Sequence, residues 1–470
     1  MSHHQSAASA ASIVQQIDGL SDEVQGLLSQ VLPPSVRVVN KRDQGREVRP
    51  LVDPTTAQIF ARVAQASLED ADLAVAAALD VLQGEWGAYS SGERESLLYR
   101  FAELFDTYQH PLAELESLAT GRAISAILHN VIPEAQSWVR YLAGLPSKLD
   151  GHTGADQGAM DPFRCSFREP GGVAVLRLHC TESLTRRLIP VVSALSAGCS
   201  VIVLCDDATY PVFYYLCDLL ARAGVPEDAI SLLSADAAVE ERLLSHDDVF
   251  QPQLGDGSNL SRSSRMLVFE DADIDQVVET LIKRVLSPLN PSVFTPRIHV
   301  HETIYEELIE AIEGALRQLK CGPALDSQTQ LGPLCLANLQ QQAQEIVQRS
   351  RNLGLRVVCG GDVGEIGNAM TPTLIADDQL HLAHLPLSLP MPVLMVQPFG
   401  YEDRTVRRAN RDRYCQGVSL FTQQLALIRR LSRGLRTEQI WVNSHYRMEP
   451  GDQYDPLGPY LRRRLLWIES

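Results

Sequence analysis

The sequence has no long hydrophobic run and no excess of positive charge. No apolar stretch approaches the roughly 20 residues that a membrane-spanning helix needs. The 470 residues carry a formal net charge of −17, and the pI is near 5.2, which argues against binding to a nucleic-acid backbone. The short basic run Arg462–Arg464 is interpreted as a solvated face, with an interface as the alternative. The composition therefore predicts neither a membrane nor a nucleic acid as a partner.

Cysteine pairs at metal-ligand spacing are also missing. Nine cysteines, an odd number, are spread from Cys165 to Cys415 without a CxxC motif. Residues 1–6 lack the cationic and apolar pattern of a secretion signal. We therefore expect a reduced, cytoplasmic protein. With 45% hydrophobic and 21% charged residues the chain is of the globular class, and its length predicts two or three structural units.

Apolar residues recur at helical spacing near the N-terminus, at Ile13, Ile17, Leu20, Val24, Leu27, Leu28 and Val31. Pro33 and Pro34 end this pattern. Residues 1–34 are thus predicted to be a flexible N-terminus with an amphipathic helix. Two interpretations stay open, because the helix can dock on its own domain or recruit the protein to a larger assembly.

A helical series precedes an alternating series of strands and helices. Ser67–Asp70 reads as a capping box, and further helices are predicted from Ser91, over Pro111–Thr120 and over Ala126–Leu145. From Gly171 onward we expect the elements Val173–Leu178, 184–197, Val201–Leu204, 211–223 and Ile230–Leu233. This alternation predicts parallel βαβ units and the α/β class. A second α/β series follows from Met266 to about residue 434, and a last strand is predicted at Gln439–Asn443.

Short segments in a fixed order and spacing make the chain similar to a known family over about residues 48–460. They are Asp53–Thr56, Ala66–Ala78, Ser91–Arg94, Leu118–Arg122, Glu169–Val173, Ala194–Gly198, Leu220–Pro226, Val268–Asp273, Gln330–Leu334, Ala409–Asn410, Gly417–Thr422 and Trp441–Asn443. Each segment is weak alone, but together they resemble the aldehyde dehydrogenase superfamily.

The resemblance implies three units and an assembly. A Rossmann-like cofactor-type domain would cover 35–145 and 169–257, and a catalytic-type α/β domain would cover 258–435. A small oligomerisation sheet would combine 146–168 with 436–470. Since similar proteins are usually dimers or tetramers, the resemblance also implies a homo-oligomer.

The chemistry of the family requires a nucleophilic thiolate, a general base and an oxyanion donor. Counting back from Arg297, the nucleophile position falls on Ser292, in a segment without cysteine. The general-base position falls on Asn259, whose amide cannot accept a proton from water. The oxyanion-donor position falls on Thr181. The neighbouring Cys180 has no role in the family and is interpreted as a buried, inert thiol.

The cofactor contacts of the family are replaced as well. The run that contacts the adenosine ribose reads Cys205–Ala208, and its two acids would repel phosphates. Ser388 stands where a glutamate would hold the nicotinamide ribose. The family's next strand and glycine-bearing helix N-terminus are deleted, because only Ser234–Ser258 fills that space, and Gly255–Gly257 reads as a turn. No bound cofactor is therefore predicted.

These positions lead to one hypothesis and one alternative. The chain resembles the inactive modules of tandem aldehyde dehydrogenases, so we expect a protein that has lost catalysis and acts as a structural or regulatory subunit. An active aldehyde dehydrogenase paralogue is the candidate partner. The alternative is an active NAD(P)-dependent aldehyde dehydrogenase with a non-standard nucleophile. No metal is expected, because His299 with His301 and His381 with His384 each lack a third ligand nearby.

Overall fold

The structure is a computed structural model and describes most of the chain. The described ranges are 20–29, 31–32, 47–153, 163–234, 236–252, 263–286, 297–378, 391–411, 415–437, 439–445, 449–451 and 455–468. Within these ranges, no helix combines the length and the hydrophobicity that crossing a membrane requires.

Seventeen strands lie in the described ranges. They are β1 Val31–Leu32, β2 Val48–Val52, β3 Ile59–Ala64, β4 His152–Thr153, β5 Phe163–Pro170, β6 Val173–Leu178, β7 Ser200–Cys205, β8 Ile230–Ser234, β9 Val249–Phe250, β10 Ser263–Val268, β11 Arg297–His301, β12 Arg356–Cys359, β13 Thr373–Ala376, β14 Val393–Phe399, β15 Cys415–Phe421, β16 Gln439–Val442 and β17 Leu461–Ile468.

The helices are distributed between these strands. The α-helices are Asp22–Leu28, Leu68–Gln83, Glu85–Ala88, Ser91–Thr107, Gln109–Thr120, Ile124–Ala126, Ile132–Ala143, Leu184–Ala197, Tyr210–Ala223, Ala237–Leu244, Ile274–Thr280, Tyr305–Gln318, Ala337–Asn352, Glu402–Arg411 and Leu425–Gly434. Single turns of 3₁₀-helix lie at Pro146–Lys148, Glu227–Ala229, Glu302–Ile304 and Gly458–Tyr460, and wider π-helical turns at Ile127–Val131 and Leu281–Leu286.

Four sheets organise the part of the chain that the structure describes. Two of them are built mainly from parallel strands, in the orders β8-β7-β6-β9 and β12-β13-β14-β11-β10-β15-β16, and only β12 runs antiparallel to its neighbour. The two smaller sheets have the orders β1-β3-β2 and β17-β5-β4. The predicted α/β class with parallel βαβ units is therefore confirmed, and the ends of β6, β7 and β8 share one edge of a sheet.

Side chains on the two faces of β7 bury against different helices. Val201, Val203 and Cys205 join the large core that contains the helices Leu184–Ala197 and Tyr210–Ala223. Ile202 and Leu204, which point the other way, pack with the helix Leu68–Gln83 on the opposite face. A strand buried on both faces is what a parallel sheet between helices requires.

Local signals in the sequence set the helix ends. Ser67 and Asp70 form the predicted capping box, and Ser90 with Glu93 forms a second one. The helix predicted over Ala126–Leu145 is instead interrupted by the π-turn Ile127–Val131. Pro133 explains the interruption, because it has no N–H to donate to the preceding turn.

The helix Asp22–Leu28 packs on the chain itself. Val24 and Leu28 are buried in the large core. Ser21 donates from its backbone N–H and its hydroxyl to Glu114, at 2.9 and 2.7 Å, and Tyr215 donates to Glu23 at 2.8 Å. Of the two interpretations of this helix, these contacts favour docking on its own domain. The remainder of residues 1–34 lies mostly outside the described ranges.

Two details differ from the expected organisation. Gln439–Val442, placed by the sequence in the segment 436–470, pairs with β15 and completes the seven-stranded sheet. The pattern of a single short strand cannot indicate which sheet it joins. The segment after β8 also differs from the predicted deletion, because it contains the helix Ala237–Leu244 and the two-residue strand β9, which pairs in parallel with β6.

Candidate functional site

Polar residues gather where β6 and β7 end. His179, Cys180 and Thr181 follow β6, and Asp206 follows β7. The Cys180 N–H donates to Asp206 Oδ2 at 2.6 Å, and His179 Nδ1 lies 3.8 Å from the same oxygen. Ligands of open α/β sheets bind outside the carboxyl ends of the strands, so this edge is the candidate functional site.

The Asp206 carboxylate is held in its charged form. Burial alone would raise the pKa of Asp206, but hydrogen bonds from His179, from Thr209 and from the Cys180 N–H lower it to about 2. The Thr209 N–H donates to Oδ1 at 2.8 Å. Asp206 thereby ties the loop after β6 to the start of the helix Tyr210–Ala223.

A buried group of three charges lies beneath the loop 179–181. Glu116 Oε1 accepts a hydrogen bond from Arg122 Nη1 at 2.5 Å and another from Arg187 Nη2. Arg187 has no exposed side-chain surface. Burial alone would lower the pKa of Arg187, but the adjacent Glu116 carboxylate raises it, so the guanidinium stays charged.

Arg122 connects this charged group to the site. Its Nη2 donates to the Cys180 carbonyl at 2.9 Å and to the Thr181 carbonyl at 3.2 Å. Gly121, which ends the helix Gln109–Thr120, has a positive φ of 74° and turns the chain so that Arg122 points back at Glu116. The backbone of 180–181 is therefore fixed by a charged donor.

A second cysteine lies beside Cys180. The Cys180 thiol donates to Cys335 Sγ at a distance of 3.7 Å, although the two residues are 155 positions apart. Cys335 follows the family segment Gln330–Leu334 and is half-buried, whereas Cys180 is buried. Burial of Cys180 was predicted, but its pairing with another thiol was not.

Thr181 and Cys205, two of the predicted site positions, lie at this edge in different settings. Thr181 is half-buried, and its carbonyl accepts from Arg122. Cys205 is 4% exposed and lies in the core, where burial first and Asp206 second raise the pKa of its thiol well above the usual value. A ligand at the sheet edge would not reach this side chain.

The ends of β3, β7 and β8 share a smaller polar network. Asp207 Oδ1 accepts from Ser234 at 3.0 Å and from Gln65 at 3.3 Å. After β8, the carboxylate of Asp236 accepts the backbone N–H groups of Ala238 and Val239, each at 3.0 Å. Asp207 and Asp236 thus accept hydrogen bonds from other groups of the protein.

The remaining predicted positions are not part of the described structure. Asn259, Ser292 and Ser388 lie outside the described ranges, as do the turn Gly255–Gly257 and the pair His381 and His384. Their proximity to Thr181 stays a prediction.

The other histidine pair is accounted for by hydrogen bonds. His299 contacts Arg265 at 3.1 Å and Gln397 at 2.8 Å through its two ring nitrogens, and His301 Nδ1 lies 2.8 Å from Thr303 Oγ1. Burial, together with Arg265, lowers the pKa of His299 well below its usual value, so the ring is neutral. Among the described residues, no three His, Cys, Asp or Glu side chains form a group that could hold a metal ion.

The charged group and Cys335 were missed from the sequence. A usable signal was the position of Arg187, a charged residue at helical spacing from the apolar residues Leu184 and Val191. No comparable signal marked Cys335, because its partner is distant in the chain.

Comparisons with known proteins agree with the fold. The model of the "Aldehyde dehydrogenase family" matches residues 40–251 and 258–456. The unmatched residues 252–257 lie in the segment Ser234–Ser258, where the sequence predicts a deletion. "Aldehyde dehydrogenase 1" of Tanacetum cinerariifolium is 27% identical over 442 residues, covering 87% of this chain and 86% of that protein. The "2-aminomuconic semialdehyde dehydrogenase" of Bos taurus is 26% identical over 423 residues, covering 83% and 86%.

Solved structures are similar over nearly the whole chain. The NAD⁺ complex of an aldehyde dehydrogenase from Bacillus cereus has a TM-score of 0.85 at 21% identity, covering 96% of this chain and 99% of that one. The betaine aldehyde dehydrogenase of Staphylococcus aureus, solved with NAD⁺, has a TM-score of 0.83 at 18% identity, covering 96% and 97%. The predicted aldehyde dehydrogenase fold is confirmed.

Proposed function

We propose that this chain, which belongs to the aldehyde dehydrogenase family, has lost dehydrogenase chemistry and acts as a structural or regulatory subunit. The observation that carries the proposal is the burial of Cys205. At the position that the resemblance assigns to the ribose-contacting lysine, the chain has an uncharged thiol that is 4% exposed and faces the core. Neither a cation nor an exposed donor is offered there to a cofactor.

The residues around the described part of the cofactor-type edge do not fit a dinucleotide. A pyrophosphate binds at a helix N-terminus through free backbone N–H groups. At the helix Ala237–Leu244, the Asp236 carboxylate occupies the N–H groups of Ala238 and Val239 and adds a negative charge. A phosphate would have to displace this carboxylate against electrostatic repulsion.

The residue types at the other family positions point in the same direction. Ser292, Asn259 and Ser388 replace a nucleophile, a base and a ribose-binding acid, although they lie outside the described ranges. A serine needs a neighbouring base to become a nucleophile, and an amide cannot serve as that base. Several independent positions thus support the proposed loss of catalysis.

The apolar second half of β17, a strand at the edge of its sheet, supports a role in assembly. Four consecutive large side chains of β17, from Leu465 to Ile468, are exposed, and Trp467 is 55% exposed. β17 pairs with β5 on one side and has no second neighbour among the described strands. Because an exposed apolar edge favours pairing with another chain, we infer a homo-oligomer or a complex with an active paralogue. Light scattering that gives a monomer at micromolar concentration, with no complex formed with the paralogue, would contradict this inference.

Calorimetry tests the lost cofactor site. Titration of NAD⁺, and separately NADP⁺, into the purified full-length chain should give no saturable heat at micromolar concentrations. A catalytically competent family member treated identically serves as the control. Saturable micromolar binding of either dinucleotide would overturn the proposed loss of the cofactor site.

The alternative is an active NAD(P)-dependent aldehyde dehydrogenase with a non-standard nucleophile. The observation in its favour is the thiol pair Cys180 and Cys335 beside Thr181, the predicted oxyanion-donor position. Production of NADH from a broad aldehyde panel distinguishes an active dehydrogenase from an inactive subunit. Turnover that persists in Ser292→Ala but disappears in Cys335→Ala would establish the alternative, and no turnover by the unmodified chain would exclude it.

A further inference from the structure

The thiols of Cys180 and Cys335 face each other across two parts of the fold. Their sulfur atoms are 3.7 Å apart. Cys180 follows β6 in the sheet β8-β7-β6-β9, whereas Cys335 precedes the helix Ala337–Asn352, which packs in the core of the seven-stranded sheet. A disulfide has a sulfur–sulfur distance of about 2.05 Å. The sulfurs therefore need to approach by only about 1.7 Å, which is within the range of side-chain rotation.

Contacts on both sides hold the two cysteines in this position. The Cys180 N–H donates to Asp206 at 2.6 Å, and its carbonyl accepts from Arg122 at 2.9 Å. Beside Cys335, the Leu334 N–H donates to the Asn368 carbonyl at 3.2 Å, and the Asn368 amide donates to the Leu334 carbonyl at 3.2 Å. Both backbones are thus fixed through hydrogen bonds.

Two glycines bring these backbones close together. A Cβ atom on Gly332 would lie 2.0 Å from the Gly121 carbonyl oxygen, and a Cβ atom on Gly121 would lie 2.5 Å from the Pro333 carbonyl oxygen. Such distances exclude a side chain at either residue. The approach places the segment of Cys335 directly against Arg122 and hence against the loop of Cys180.

The surroundings favour a thiolate on Cys335. The hydrogen bond from Cys180 lowers the pKa of Cys335, and Arg122 and Arg187 lower it further, against burial and Asp206, which raise it. The pKa of Cys180 is raised well above its usual value by the same hydrogen bond and by burial, so Cys180 keeps its proton. The half-buried member of the pair is thus the more reactive nucleophile.

We propose that Cys180 and Cys335 form a dithiol site that a peroxide converts into an intrachain disulfide. The Cys335 thiolate attacks one oxygen of hydrogen peroxide, the O–O bond breaks, and hydroxide leaves, which gives a sulfenic acid on Cys335. Cys180 sulfur then attacks the sulfenic sulfur, the S–O bond breaks, and the departing hydroxyl takes the Cys180 proton as water. The two thiols lose two electrons, and the peroxide is reduced to one water and one hydroxide.

The disulfide would add a covalent cross-link where these two parts of the chain are now in non-covalent contact. It would close a loop between residues that are 155 positions apart, next to Thr181. The cross-link does not depend on dehydrogenase activity, because only the two thiols and the peroxide take part. It is therefore independent of whether the family chemistry has been lost.

Peptide mapping of the full-length protein tests the site. The reduced protein is treated with hydrogen peroxide, unfolded in the presence of an alkylating agent and digested without reductant. We expect one cross-linked peptide pair that contains Cys180 and Cys335, and both cysteines should become alkylatable again after treatment with dithiothreitol. The unmodified sequence suffices for this measurement, so it does not depend on the folding of any variant.

Two variants test the order of the oxidation steps and the specificity of the cross-link. In Cys335→Ser, Cys180 should stay reduced at the same peroxide dose, because its oxidation requires the sulfenic acid on Cys335. In the control Cys321→Ser, which removes an exposed thiol, the cross-link should form as in the unmodified chain. The proposal is overturned if Cys335 is oxidised to sulfinic acid while Cys180 stays alkylatable. It is equally overturned if either cysteine pairs with a different thiol, or if both stay reduced when Cys321 is oxidised.

Discussion

The buried charges Glu116, Arg122 and Arg187 should respond unequally to substitution. In Glu116→Gln both guanidiniums lose the carboxylate that they share, and at least one of them, Arg187, is fully buried. Removing one partner from a buried ion pair costs about 3–5 kcal/mol, because the remaining charge is left uncompensated. We expect a destabilisation of this size for Glu116→Gln.

Arg187→Met should lower the free energy of unfolding far less than Glu116→Gln. Glu116 keeps its hydrogen bond of 2.5 Å from Arg122, so a paired carboxylate stays in place. Within the described residues, Nε and Nη1 of Arg187 have no hydrogen-bond acceptor, and methionine removes these buried polar atoms. The new thioether would pack towards Phe213, whose ring centre lies 5.8 Å from the guanidinium carbon. We expect the free energy of unfolding of Arg187→Met to differ from that of the unmodified chain by no more than about 1 kcal/mol.

Urea unfolding followed by tryptophan fluorescence measures both variants. Trp86 and Trp138 are buried in the core that surrounds the three charges and report on its unfolding. With a slope of about 2–3 kcal/mol per M, Glu116→Gln should lower the midpoint by about 1–2 M. The control variant Glu103→Gln also removes one carboxylate, but an exposed one, and should leave the urea midpoint nearly unchanged. An unequal response of the three charges is refuted if Arg187→Met shifts the midpoint as far as Glu116→Gln, or if Glu116→Gln behaves like the control.

Two further predictions concern pH and backbone packing. Asp206 has an ordinary pKa of 3.8, lowered to about 2 in the fold, so it contributes about 2 kcal/mol of stability above pH 4. That contribution is lost as the pH falls towards 2, so the stability difference between the unmodified chain and Asp206→Asn should shrink over this interval in acid denaturation. Gly332→Ala should lower the urea midpoint, because its Cβ would lie 2.0 Å from the Gly121 oxygen. Gly314→Ala, in an exposed helical position with nothing within 4 Å, should raise stability by about 0.5–1 kcal/mol, and a fall comparable to that of Gly332→Ala would contradict the packing argument.

Local rules predicted much of the fold but less of the site. The capping box at Ser67 and the strand Val173–Leu178 were predicted at their observed positions, because neighbouring residues decide them. The sheet that a strand joins depends on distant segments, which is why the sequence did not predict the pairing of Gln439–Val442 with β15. At the site, burial of Cys180 followed from its residue type, whereas its contact with Cys335 depends on the approach of two loops.

The residues that hold the loop 179–181 are not the ones predicted at the family's nucleophile and base positions, Ser292 and Asn259. Arg122 and Asp206 hold the backbone of this loop, and the approach of Gly121 to Gly332 holds the segment against which it lies. None of these contacts requires a nucleophile, a base or a cofactor. A chain can therefore lose the family chemistry at other positions without loosening this framework.

This separation also distinguishes the two proposals. The disulfide requires only the framework that brings Cys180 and Cys335 to 3.7 Å, so micromolar binding of NAD⁺ would overturn the lost cofactor site and leave the disulfide untouched. Conversely, failure to form the cross-link would leave the structural role standing. If the chain proves active, the disulfide would consume the thiols beside Thr181, and peroxide should then abolish turnover reversibly. Only in that case would the redox state of the pair control a reaction rather than the rigidity of a scaffold.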